Sequence, residues 1–104
     1  MGELMAPLRR RGDAALAALE ACLDERTEKL SEAVAEAVRR LVALRDDLIE
    51  RRRAGDGAAE VKDWLARTNA ILSSVVGAEF PIKGLHRERI EQAAGALKAM
   101  LAAA

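Results

Sequence analysis

Residues 30–53, LSEAVAEAVRRLVALRDDLIERRR, decide how this chain folds. Leu30, Val34, Ala37, Leu41, Leu44 and Leu48 recur at alternating spacings of four and three, which places them along one side of a helix. Such a stripe must be covered by other apolar side chains, and every other segment is a candidate cover.

Working towards the N-terminus, no Gly or Pro interrupts residues 14–53, and Leu16, Leu19 and Leu23 extend the apolar series. Between Leu19 and Leu48 the stripe advances by about 3.6 residues per turn, the period of a straight helix. A single helix over 14–53, about 60 Å long, is therefore the first expectation. Its weak point is the charged run from Asp24 to Lys29, where Thr27 or Ser31 offers an N-cap. A break there gives the alternative, an up-down four-helix bundle. Further back, Gly12 followed by Asp13 reads as a helix stop and start. This leaves residues 1–12, with Leu4, Met5, Pro7 and Leu8, as a short or frayed N-terminal segment of the single domain 1–104.

Towards the C-terminus, Gly55 ends the quoted helix, and the turn at residues 53–57 reverses the chain. A second helix is expected over 58–76, with Val61, Trp64, Leu65, Thr68, Ile71, Leu72, Val75 and Val76 forming a broad, mostly buried face. Gly77 and Pro81 make 77–84 a linker that carries Phe80 and Ile82. The last helix, 85–102, sets His86, Ile90, Leu97 and Met100 on one side, and Gly95 within it marks a close helix approach or a tolerated weak spot. The fold class is all-α: a long N-terminal amphipathic helix packed antiparallel against two shorter ones. Three helices leave part of so long a stripe uncovered, so a homodimer is expected.

Composition removes several function classes. Half the residues are hydrophobic, yet Trp64 and Phe80 are the only aromatics, so the core is aliphatic. Seventeen basic residues balance seventeen acidic ones, and a chain without net charge has no global attraction to nucleic acid or anionic membrane. No apolar run approaches the roughly 20 residues of a membrane span. The lone cysteine, Cys22, fits a reducing compartment, and the cytoplasm is the expected location. One histidine and one cysteine cannot supply an intrachain zinc site. Asp46 and Asp47, adjacent on a helix, diverge by about 100° rather than converging for acid-base work. Phosphate-binding and nucleophile-elbow patterns are missing. No cofactor, metal or catalytic residue is expected.

The functional candidates that remain are surfaces. Trp64, Phe80, Ile82 and His86 are candidates for protein interaction, although Trp64 inside the stripe also reads as a core anchor, and His86 as a neutral ring at a helix start. Arg9, Arg10 and Arg11 with Arg51, Arg52 and Arg53 are candidates for phosphate contacts. Against them, Glu25–Lys29, Glu36–Arg40, Asp47–Arg51 and Asp63–Arg67 are spaced as ordinary helix-surface ion pairs. The expectation is a non-enzymatic interaction module, an adaptor, assembly factor or chaperone-like protein acting on itself and an unknown protein. A nucleic-acid-associated accessory protein is the alternative.

Overall fold

The stripe of residues 30–53 is covered by the segment that precedes it. The computed structural model describes residues 2–24, 30–55, 58–78 and 85–103, and within them four helices follow in order: α1 (Gly2–Cys22), α2 (Leu30–Ala54), α3 (Ala58–Ala78) and α4 (Leu85–Ala103). Each packs on its chain neighbours, and α1 closes the ring on α4. The two diagonal pairs make no close approach among the described residues. Neighbours run antiparallel: Arg9 in the first half of α1 reaches Leu101 in the last turn of α4, and Arg11 at the middle of α1 meets Asp47 in the C-terminal half of α2. The result is an all-α bundle of 42 × 20 × 19 Å, its long axis set by the 25-residue α2 at 1.5 Å per residue.

The continuous helix over 14–53 is thus replaced by the alternative arrangement. α1 ends at Cys22 with a tightened turn, Leu23 N–H donating to Glu20 O at 3.0 Å and Asp24 N–H to Ala21 O at 3.3 Å. The charged run after it has nothing to bury, whereas folding back lets the α1 stripe (Leu8, Ala15, Leu19, Cys22) face the α2 stripe (Val34, Ala37, Leu41, Leu44, Leu48). In α1, counting Gly12, and in α2 the buried positions alternate by three and four, the 3.5-residue repeat of bundle packing. The 3.6-residue phase between Leu19 and Leu48 spans two separate helices. Because the hairpin covers the stripe, the premise from which a homodimer was expected no longer holds.

The boundary expected at Gly12 is also corrected, because α1 runs through it and through Pro7. Gly12 is buried, and a Cβ built on it would stand 2.6 Å from Leu101 Cδ2. The missing side chain lets α4 pack against α1. Gly55 fills the role expected of it, with φ at +80° and its N–H donating to Arg52 O at 3.1 Å, so it closes α2 in the left-handed conformation. α3 continues through Gly77 to Ala78, two residues beyond the expected end.

Candidate interaction surface

Trp64 lies in the core, 4% exposed, beside Val61, Leu65 and Ile71 of its own stripe, and so has almost no surface to offer a partner. Phe80 and Ile82 fall outside the described residues, as does the side chain of His86, whose backbone belongs to the first turn of α4. The interaction candidates therefore have to be sought on the helices themselves.

The arginine candidates meet in space. Arg11 Nε donates to Asp47 Oδ2 at 3.2 Å, and Arg51 lies 3.9 Å from the other oxygen, so one carboxylate links the two clusters across the α1/α2 pair. Arg9 Nη1 donates to Leu101 O at 2.9 Å, which satisfies a carbonyl of the last turn of α4 that has no intrahelical partner. Arg51, Arg52 and Arg53 form the last turn of α2, where positive charge complements the helix dipole. Arg10, Arg52 and Arg53 are exposed. Three of the six candidates, Arg9, Arg11 and Arg51, are thus engaged by the protein.

The expected surface pairs are formed where they are described: Glu36–Arg40 at 2.9 Å and Asp63–Arg67 at 3.0 Å, with Glu25–Lys29 outside the described residues. Arg39 also donates to Glu36, and Arg87 pairs with Glu91 at 3.1 Å. The hydrogen bond from Arg39, together with the nearby charges of both arginines and the Arg40 hydrogen bond, holds the Glu36 carboxyl below its ordinary range against an opposing desolvation. Cys22 Sγ donates to Ala18 O at 3.3 Å. Burial pushes its thiol up, partly offset by a backbone hydrogen bond, which makes it a poor nucleophile at neutral pH.

What the sequence reading missed lies between α2 and α3. Val38 and Val42 pack only partly against the core, and Val76 is 43% exposed, the one large aliphatic side chain left exposed among the described residues. Together with Leu72, Asn69, Ser73 and Arg45 they line an open groove of about 680 Å³. A second groove, about 310 Å³, runs between α3 and α4 and is lined by Ala70, Ala93, Ala96 and Ala99 with Arg67 and Ser74. Both flank the C-terminal half of α3, where no charged residue occurs from Thr68 to Ala78. In a chain one third charged, this is an uncharged face.

Among the described residues, no group of three or more His, Cys, Asp or Glu side chains is placed to hold a metal ion, and no helix is long and apolar enough to cross a membrane. No family model, curated protein or solved structure matches this chain.

Proposed function

We propose that this chain is a non-enzymatic helical interaction module of the cytoplasm, an adaptor, assembly factor or chaperone-like protein whose product is a protein complex. The observation that carries the reading is the open α2/α3 groove, where Val38, Val42 and Val76 leave a contiguous apolar surface uncovered. Exposing a valine to water is unfavourable, and an apolar floor beside an uncharged helix face is what a partner would cover. A nucleic-acid-associated role stays as the alternative, supported by the meeting of Arg11 and Arg51 at Asp47 with Arg10, Arg52 and Arg53 exposed beside them. Affinity capture from the host lysate, with and without nuclease, separates the two. A polypeptide retained after nuclease supports the module. Capture of nucleic acid alone, released as salt is raised, contradicts it, because phosphate contacts weaken steeply with ionic strength.

A further inference from the structure

We infer that the α2/α3 groove receives an amphipathic helix of a partner protein, aliphatic on its buried face and carrying an Asp or Glu at the Arg45 end. This rests on the interaction-module reading and names the partner's chemistry. The groove runs from Val38 to Arg45 on α2 and, antiparallel, from Val76 to Asn69 on α3. Both walls span eight residues, seven rises of 1.5 Å, so its length is about 10 Å, two helical turns. The groove is open to solvent rather than enclosed. The occupant therefore embeds one face, presenting aliphatic side chains three and four residues apart, and leaves the other in water.

Charge sets the sign of the occupant's flank. Arg45 is the one charged residue lining the groove. Among the described residues its guanidinium pairs with the neighbouring Asp46 alone, at 3.2 Å, and that carboxylate is 61% exposed. An exposed pair of this kind is weak and is readily exchanged for a carboxylate brought in beside buried apolar surface. A second copy of this chain fits less well. A two-fold contact would set groove against groove, concave on concave, and leave both unfilled.

The test uses two fluorescent synthetic peptides of about 18 residues, long enough to be helical. Both carry the same leucine stripe; one has Glu, the other Lys, one turn beyond each end of the stripe. Fluorescence polarisation with the full chain should show the acidic peptide binding at least about tenfold more tightly than the lysine peptide. Val76→Asp should weaken the acidic peptide by a similar factor, and Arg45→Glu should reverse the preference. Both positions are surface-exposed or half-exposed, and circular dichroism checks that the variants stay helical. Binding of neither peptide, equal binding of both, or no reversal with Arg45→Glu overturns the inference. So does a dimer in light scattering that Val76→Asp disperses, which would make the occupant a second copy. If the lysate partner is still captured by both variants, the module stands and the groove assignment alone fails.

Discussion

Thr68 is the single buried polar or charged side chain among the described residues, and its hydroxyl has no hydrogen-bond partner. A helical threonine ordinarily bonds back to the carbonyl four residues earlier, which here belongs to Trp64. Leaving a hydroxyl desolvated and unpaired costs about 1–3 kcal/mol. Valine has nearly the same shape and helix propensity, so Thr68→Val should recover that cost, and about 1–2 kcal/mol of added stability is expected. At about 2.1 cal/mol/K per residue, unfolding 104 residues carries about 220 cal/mol/K. Each kcal/mol then moves Tm by about 4–5 °C, so Tm should rise by about 5–9 °C. Thr68→Ser keeps the hydroxyl and loses a buried methyl, and should fall by about 1 kcal/mol. Urea unfolding and thermal melts of the three proteins measure both effects. A Thr68→Val protein no more stable than the original would refute the reasoning, because the hydroxyl would then be satisfied in the folded chain.

Other substitutions probe the helix contacts. Gly95 is exposed within α4 with nothing within 4 Å of a built Cβ, so Gly95→Ala should stabilise by about 0.5–1 kcal/mol in urea unfolding. At Gly12 the gain in helix propensity meets Leu101, and Gly12→Val should cost about 1–3 kcal/mol, recovered in part by adding Leu101→Ala. Leu44→Ala, at a fully buried position of α2, should lower stability by about 3 kcal/mol. Glu36 should titrate by NMR below the ordinary glutamate range. Since its folded pKa is depressed, its contribution to stability is present above the unfolded pKa and is lost as pH falls through the folded one.

The helices were legible because their apolar positions recur at three and four, a pattern that depends only on the chain's own period. What covers each stripe was not. Leu19 and Leu48 happen to share a helical phase, which made one helix and two look alike. Only the absence of any apolar residue to bury between Asp24 and Lys29 favoured the break. Gly12 read as a stop because glycine is permissive alone, while its use here is the space it leaves for Leu101, a residue 89 positions away. Thr68 was placed correctly in the stripe of α3, but whether its hydroxyl finds a carbonyl is a matter of rotamer and neighbours. Val76 shows the same limit from the other side. Periodicity put it on the buried face, yet it stands at the edge of α3, where α2 does not cover it. The groove is therefore a product of assembly, since Val38 and Val76 meet only once α2 and α3 have packed.

The fold-back between α1 and α2 positions everything else, and a distance measures it. Spin labels at Asp13 and Asp46, both exposed, in a Cys22→Ala background would be separated by 33 residues, about 50 Å, along a continuous helix. The hairpin sets these positions at the same level on neighbouring helices whose axes are 8–10 Å apart, giving a distance of the order of 20 Å once label arms are included. A single narrow distribution near 20 Å by pulsed electron double resonance is the expected result, and a distribution centred near 50 Å would contradict the four-helix bundle and the groove built on it.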